Sequence, residues 1–198
     1  ASQFGLKKTL RQLFAFGFKK DSEKLKAYVA NRYQVEAENV ALYGSGRTAL
    51  SEALKYFIKP GDKVAITALT CFAVVEAVRS AGCEPVYLDV NLNNLHFDAK
   101  TLEKACAKNP EIKAVIVQNN LAYPCDIVGI ESVARKYNLA LIEDLAHCIG
   151  MDYADGREAG MVGDAVIMSF GKGKSLDLIS GGLLFLRKTD KRKKSFTI

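Results

Sequence analysis

Short apolar runs alternate with amphipathic helical segments along this chain, and that alternation restricts the fold more than any other feature. Seven runs have the length of buried strands: 40–43, 63–67, 84–89, 112–117, 139–143, 165–170 and 182–186. Helical segments separate them as far as residue 144, whereas the last two runs have no helix between them. Alternating strands and helices are typical of a largely parallel sheet. We therefore expect one α/β core built around such a sheet.

Polar groups follow the fifth and sixth apolar runs. Asp144 ends the run 139–143, while Ser169, Lys172 and Lys174 come at the end of the run 165–170 and just after it. In open α/β sheets the carboxyl ends of the strands carry the functional groups. An acid, a hydroxyl group and two amines are therefore expected to lie close together at one edge of the sheet.

This set of groups suits pyridoxal phosphate (PLP), a cofactor that forms a Schiff base with a lysine amine and pairs its pyridinium nitrogen with a carboxylate. Asp144 is the best-placed carboxylate, because an anion beside the ring nitrogen favours its protonated form. The lysine must be partly deprotonated, which desolvation or a neighbouring positive charge achieves. Position alone leaves both Lys174 and Lys172 as candidates.

A glycine-containing turn links the run 40–43 to the next helix and reads Gly-Ser-Gly-Arg-Thr over residues 44–48. Such a turn exposes unpaired backbone N–H groups at the start of a helix, where a phosphate can bind. The alternative is a plain tight turn, because an isolated Gly-x-Gly has little specificity.

Two longer motifs resemble those of the PLP-dependent sugar aminotransferases of the DegT/DnrJ/StrS family, which have the aspartate aminotransferase fold (fold type I). Residues 143–147 read Glu-Asp-Leu-Ala-His, and residues 163–174 with the Gly-Gly pair 181–182 are close to that family's Gly-Asp…Ser-Phe…Lys…Gly-Gly pattern. The resemblance implies that Lys174 rather than Lys172 carries the cofactor. It also places His147 near the ring hydroxyl and makes Ser169 a phosphate ligand.

The family's phosphate loop, Ser-Gly-Thr-x-Ala-Leu, aligns on residues 45–50. By resemblance Ser45, Gly46, Arg47 and Thr48 hold the phosphate, with Arg47 in place of the commoner threonine.

The aromatic residue that stacks on the cofactor ring in this family aligns on Cys71, with Phe72 next to it. Core packing is the alternative for Phe72. Asn119 and Tyr123 are further pocket candidates by the same comparison.

The resemblance implies a three-layer α/β/α fold whose mostly parallel seven-stranded sheet ends in an antiparallel strand. It divides the chain into an N-terminal arm (1–21), a PLP-binding large domain (22–188) and a basic tail (189–198). The family's small C-terminal domain has no counterpart, so a fragment or truncated gene product is expected. The implied activity transfers an amino group from an amino acid, glutamate, to a keto sugar nucleotide in a homodimer.

Composition limits the partners. The net charge of +6 comes from both ends, and residues 21–186 hold 17 basic and 21 acidic side chains, which argues against a nucleic-acid surface. Five cysteines without a secreted-type spacing favour a reduced cytoplasmic protein. With two histidines, a metal site is not expected, and no apolar run approaches the roughly 18 residues of a membrane span.

The basic, apolar arm 1–21 suggests two placements. It suits either a membrane surface or packing on a neighbouring subunit, of which we favour the second.

Three other functions remain open. A sugar dehydratase of the same family would have histidine in place of Lys174, which argues against it. A PLP-binding remnant or regulatory protein would bind the cofactor without turnover. A doubly wound nucleotide-binding protein without PLP is disfavoured, because residues 44–48 lack the full Gly-x-Gly-x-x-Gly fingerprint.

Overall fold

A computed structural model describes residues 18–189, with side chains from residue 21 onward. Apart from residues 18–21 and Thr189, the predicted arm (1–21) and basic tail (189–198) lie outside the described residues. The helices are α1 (Phe18–Tyr33), α2 (Gly46–Phe57), α3 (Phe72–Ser80), α4 (Ala99–Lys108) and α5 (Ile127–Lys136). The strands are β1 (Val40–Tyr43), β2 (Lys63–Thr67), β3 (Glu84–Leu88), β4 (Ile112–Gln118), β5 (Ala140–Asp144), β6 (Ala165–Ser169) and β7 (Gly182–Leu186). Two short 3-10 turns, Ala37–Asn39 and Asn120–Ala122, complete the regular structure of this part of the chain.

The seven strands form one sheet in the order β1-β7-β6-β5-β4-β2-β3. The pairs β2–β3, β2–β4, β4–β5 and β5–β6 are parallel, whereas β7 runs antiparallel to both β6 and β1. This confirms the predicted mostly parallel seven-stranded sheet, including its antiparallel last strand. The connection from β6 to β7 (residues 170–181) is shorter than the connection 145–164, which also lacks a helix and after which β6 pairs parallel to β5. Antiparallel pairing needs less connecting chain than parallel pairing, which agrees with the reversal at β7.

Helices cover both faces of the sheet. On one face α1, α4 and α5 pack on alternate strand residues such as Val115 and Phe185. On the other face α2 and α3 pack on the intervening residues, such as Ile116 and Leu184. Strands buried on both faces read as continuous apolar runs, which explains why the strands were recognisable in the sequence. The predicted three-layer α/β/α fold is confirmed.

Helices α2 and α3 each begin directly after a capping residue. Helix α2 begins at Gly46, because Ser45 serves as its N-cap and accepts a hydrogen bond from Thr48 N. Helix α3 begins at Phe72, with Cys71 at the capping position. Residues 46–48 of the phosphate motif therefore lie in the first turn of a helix.

Within residues 18–189, no helix combines the length and the apolar character needed to cross a membrane.

Candidate active site

A cavity of about 450 Å³ lies beside the carboxyl ends of β4, β5 and β6 and the N-termini of α2 and α3. Its volume lies in the range of small-molecule sites, about 300–1,000 Å³. Seven of the site residues named from the sequence line it: Gly46, Arg47, Cys71, Asp144, His147, Ser169 and Lys174. Residues up to 128 positions apart therefore converge on one cavity, as expected for the carboxyl edge of a doubly wound sheet.

Lys174 lies in the loop after β6, and its amine reaches across the cavity. Its Nζ lies 2.8 Å from Nε2 of His147, which follows β5. Burial, and then the nearby charge of Lys174, lower the pKa of His147. A neutral imidazole can accept a hydrogen bond from the lysine amine at Nε2, which requires its proton on Nδ1. Lys172 is exposed and does not line the cavity.

Asp144, the last residue of β5, is a buried carboxylate that faces the cavity with 5% exposure. Its Oδ1 accepts a hydrogen bond from Ala146 N at 3.0 Å, and its Oδ2 accepts one from Gln118 Nε2 at 3.1 Å. Burial raises the pKa of Asp144, while these two donors and the charges of Lys174 and His147 act in the opposite direction. The two donors thus offset part of the cost of burying this carboxylate, and its oxygens can still accept a hydrogen bond from a donor in the cavity.

The turn before α2 is held tightly against the ends of β6 and β7. A Cβ placed on Gly46 would lie 2.6 Å from the Cβ of Ser169, and one on Gly182 would collide with the backbone of Ser45. Glycine at both positions lets the N-terminus of α2 approach the cavity. The first N–H groups of a helix have no partner within the helix, so this end can bind an anion.

Arg47 in the first turn of α2 forms an ion pair with Glu76 of α3. The guanidinium is therefore held at the cavity by a side chain from the neighbouring helix. Ser45 and Thr48 do not line the cavity, and their side chains bond to each other, Ser45 Oγ to Thr48 Oγ1, at 3.0 Å. Their contribution to the cavity is to cap and order the helix N-terminus.

Phe72 corrects one expectation. Its side chain is 66% exposed, so it does not pack in the core, and it does not line the cavity. A contact of Phe72 with the cofactor ring stays a prediction. Position 72 is the first residue of α3, and the side chain points outward from that turn. Cys71, which is also exposed, does line the cavity.

Three polar residues of the cavity, Thr70, Gln118 and Asn120, were not identified from the sequence. Thr70 and Gln118 both line it, and Thr70 Oγ1 donates to Gln118 Oε1 at 2.5 Å. The available signal for Gln118 was a polar residue at the end of β4, directly after the apolar run 114–117.

The two further pocket candidates differ in position. Asn119 lines the cavity, but its Nδ2 donates to Tyr153 Oη and its Oδ1 accepts from Cys125 N. Tyr123 is 53% exposed and does not line it.

Glu143 precedes Asp144 in β5 and points to the opposite face of the sheet. It has no solvent exposure and accepts hydrogen bonds from Tyr153 Oη at 2.8 Å and from the backbone N–H groups of Gly160, Val162 and Gly163. This carboxylate anchors the irregular segment between β5 and β6.

The groups around the cavity fit pyridoxal phosphate. The amine beside a histidine matches the aldehyde of that cofactor, and the buried carboxylate matches its ring nitrogen. The helix N-terminus, whose glycine leaves no room for a Cβ, matches its phosphate. Fold and cavity together are those of the large domain of fold type I PLP-dependent enzymes.

The chain belongs to the DegT/DnrJ/EryC1/StrS aminotransferase family, whose model matches residues 18–198. The predicted family is thus confirmed.

The chain is also similar to individual proteins of known sequence or structure. It is 35% identical to the GDP-perosamine synthase of Caulobacter vibrioides over 71% of this chain and 37% of that protein. The structure of the aminotransferase TlmJ from Streptoalloteichus hindustanus superimposes with a TM-score of 0.74 at 29% identity, over 84% of this chain and 45% of that one. NtdA of Bacillus subtilis, solved with the bound cofactor PMP, has the same fold, with a TM-score of 0.74 at 24% identity over 84% of this chain and 37% of that one. The chain spans less than half the length of the curated relatives it matches.

Proposed function

We propose that this protein is a PLP-dependent aminotransferase that moves an amino group from an amino acid, glutamate, to a keto sugar nucleotide. The observation that carries the proposal is the placement of the Lys174 amine 2.8 Å from His147 in the cavity that also holds the buried Asp144. Family membership supports the reaction class. The sugar nucleotide is proposed from relatives such as the GDP-perosamine synthase.

PLP, when bound, supplies a ring that accepts electrons and a carbon atom at which amino groups are exchanged. Lys174 would attach the cofactor through Nζ and, once released, would take and return the proton as general base. Asp144 would hold the proton on the ring nitrogen, since an ionised carboxylate beside that nitrogen favours its protonated form. His147 would orient Lys174 and the ring by its hydrogen bond through Nε2.

The phosphate would bind at the first turn of α2, where Gly46 and Arg47 meet Ser169 of β6. The backbone N–H groups and the helix dipole favour a dianion there, and the guanidinium adds positive charge. Ser45 and Thr48 would keep this turn in place through their mutual hydrogen bond.

We further propose a cytoplasmic homodimer with its large domain over residues 22–188. Support for a subunit contact comes from exposed apolar side chains. Leu121 lines the cavity and is 69% exposed, and Ile179, between β6 and β7, is 85% exposed. Light scattering across a concentration series should give twice the mass of one chain. A monomer at all concentrations would exclude the dimer.

The absorbance spectrum of the protein with added PLP, before and after borohydride reduction, tests the cofactor site. We expect a band from lysine-bound cofactor in the wild type and in Lys172→Ala, and none in Lys174→Ala. Lys172→Ala is the matched control, because that lysine is exposed and lies two residues away. A wild type without such a band would refute the proposal, and a band lost in Lys172→Ala would reassign the lysine.

The reaction is then tested by adding glutamate to the PLP-loaded protein and following the loss of that band. Addition of keto sugar nucleotides should restore it. A protein that binds PLP at Lys174 but does not respond to any amino acid would be a cofactor-binding protein without turnover.

A further inference from the structure

Two side-chain hydrogen bonds link Thr70, Gln118 and Asp144 along the wall of the cavity. Thr70 Oγ1 donates to Gln118 Oε1 at 2.5 Å, and Gln118 Nε2 donates to Asp144 Oδ2 at 3.1 Å. The three residues come from separate segments: the loop after β2, the end of β4 and the end of β5. We refer to them as the Thr70–Gln118–Asp144 relay.

Strand register brings the last two members together. Gln118 and Asp144 are directly paired residues on the neighbouring strands β4 and β5. They are 7% and 5% exposed, so their hydrogen bond is shielded from water. A hydrogen bond to a charged group in such surroundings contributes more than one at the surface.

The donor and acceptor directions of these two hydrogen bonds favour the ionised form of the Asp144 carboxylate. An ionised carboxylate only accepts hydrogen bonds, whereas the Gln118 side chain has a donor end and an acceptor end. Because Thr70 donates to the carbonyl end, the NH₂ end faces Asp144 Oδ2. Turning the amide around would place its oxygen against the carboxylate, which the ionised form disfavours.

We propose that Gln118 and Thr70 are positioning residues that keep Asp144 ionised and oriented toward the cofactor ring nitrogen. This inference rests on the proposed function, because it names the residues that prepare Asp144 for that role. Burial by itself favours the protonated acid, which lacks the charge needed to hold a proton on the ring. The relay supplies a donor that acts before any cofactor arrives.

Other groups also face Asp144 and must be held constant in a test. Lys174 and His147 lie on the cavity side and lower the pKa of Asp144. Cys148 lies behind it, and its Sγ contacts Asp144 O at 3.7 Å. Burial raises the pKa of Cys148 to about 12, so this thiol stays neutral across the usable pH range. None of these groups is changed by substitutions at positions 70 and 118.

The test compares Gln118→Met and Thr70→Val with Thr67→Val. Methionine keeps the approximate size of glutamine without its amide. Thr67 is the matched control: it is buried at the end of β2, lies outside the cavity lining, and its hydroxyl has no hydrogen-bond partner among residues 18–189. All three variants are read against the wild type.

The first readout is the dissociation constant for PLP, measured by equilibrium dialysis over a pH series. A donor to a carboxylate lowers its pKa by about one unit, so its loss should raise the pKa of Asp144 by a similar amount. PLP binds best to the ionised carboxylate. The ratio of the Gln118→Met constant to the wild-type constant should therefore be near one at high pH and reach about tenfold as the pH falls. The ratio cancels pH effects that are the same in the variant and the wild type.

The second readout is the unfolding equilibrium of the apoprotein, which needs no cofactor. Burial raises the folded-state pKa of Asp144 above its unfolded value, so Asp144 costs stability as the pH rises through that folded pKa. Loss of the Gln118 donor would raise the folded-state pKa of Asp144 further, so stability would continue to fall up to a higher pH. The ratio of the Gln118→Met unfolding constant to the wild-type unfolding constant should therefore be about tenfold larger at high pH than at low pH. Thr70→Val should shift both readouts in the same directions, by about threefold.

The two readouts change in opposite directions with pH, which a general packing defect would not produce. Curves for Gln118→Met that run parallel to those of Thr67→Val in both series would overturn the inference. A wild type that binds no PLP would instead refute the proposed function, and the apoprotein series would then decide alone whether the relay holds Asp144 ionised.

Discussion

Glu143 and Asp144 are adjacent buried carboxylates at the end of the same strand, yet they sit in opposite kinds of surroundings. Glu143 accepts four hydrogen bonds, three of them from backbone N–H groups of the segment between β5 and β6. Asp144 accepts two and faces a cavity with an amine and an imidazole. Alternation along the strand sends the two side chains to opposite faces of the sheet.

The difference teaches how to separate a structural acid from a functional one. A buried carboxylate surrounded by fixed donors stabilises the fold, because removing it would leave those donors without a partner. A buried carboxylate with unused acceptor capacity toward a cavity is prepared for a donor that arrives with a ligand. The first should affect stability when changed, and the second should affect chemistry.

Asp144→Asn should give the largest functional loss. We expect the rate at which glutamate changes the cofactor absorbance to fall by about 10²–10³-fold, as for other losses of electrostatic stabilisation in an active site. The free energy of unfolding should stay the same or rise, because the variant removes a buried charge. Stopped-flow absorbance and urea unfolding measure the two effects. A rate within about threefold of the wild type would remove Asp144 from the proposed mechanism.

Glu143→Gln should show the converse pattern. Replacing one carboxylate oxygen by NH₂ sets a donor against backbone donors, and we expect the free energy of unfolding to fall by about 3 kcal/mol. The affinity for PLP, measured where the variant is still folded, should change little. Glu103→Gln, which disrupts only the surface pair with Lys136, is the control and should leave the unfolding curve almost unchanged. Equal stability of Glu143→Gln and the wild type would contradict the structural role.

Alanine substitutions at two glycines, Gly163 and Gly46, test the same difference between the Glu143 side and the Asp144 side. A Cβ on Gly163, on the Glu143 side, would lie 2.8 Å from Ala165 O, so Gly163→Ala should cost about 1–3 kcal/mol of stability. A Cβ on Gly46, on the Asp144 side, meets the Ser169 side chain, so Gly46→Ala should in addition weaken PLP binding. Unfolding curves and PLP titrations of both variants measure this. A similar loss of PLP affinity in Gly163→Ala would contradict the expectation that only the Asp144 side binds PLP.

Tyr153→Phe should have the smallest effect. It removes the side-chain donor to Glu143 and the acceptor of Asn119 Nδ2 but leaves the three backbone donors, and we expect a loss of about 1–1.5 kcal/mol in the free energy of unfolding. PLP affinity should be unchanged. Chemical denaturation measures the loss, and a loss as large as that of Glu143→Gln would mean that the two hydrogen bonds of the hydroxyl matter as much as the backbone donors.

Much of the fold could be predicted because its signals are local. Strands buried on both faces are continuous apolar runs, and all seven were recognised near their observed positions. The Gly-Ser-Gly turn at the start of α2, the position of Asp144 at the end of a strand and the position of Lys174 after a strand could also be predicted. The roles of Lys174, Asp144 and the other site residues remain predictions until the cofactor site is tested.

Other features had no readable local signal. Core packing was one expectation for Phe72, but at the first turn of α3 its side chain is 66% exposed. Position alone did not separate Lys174 from Lys172, although the family motif favoured Lys174, and the folded loop brings the Lys174 amine to His147.

The sequence by itself determined the strands, the helices and the end of the sheet at which polar groups collect, because hydrophobic periodicity and glycine turns act over a few residues. Only the tertiary structure decided that β4 lies beside β5 in a register that pairs Gln118 with Asp144, 26 positions away. It also decided which of the two adjacent acids faces a cavity. Strand order and register depend on contacts between distant segments, and the local pattern of a single segment does not specify them.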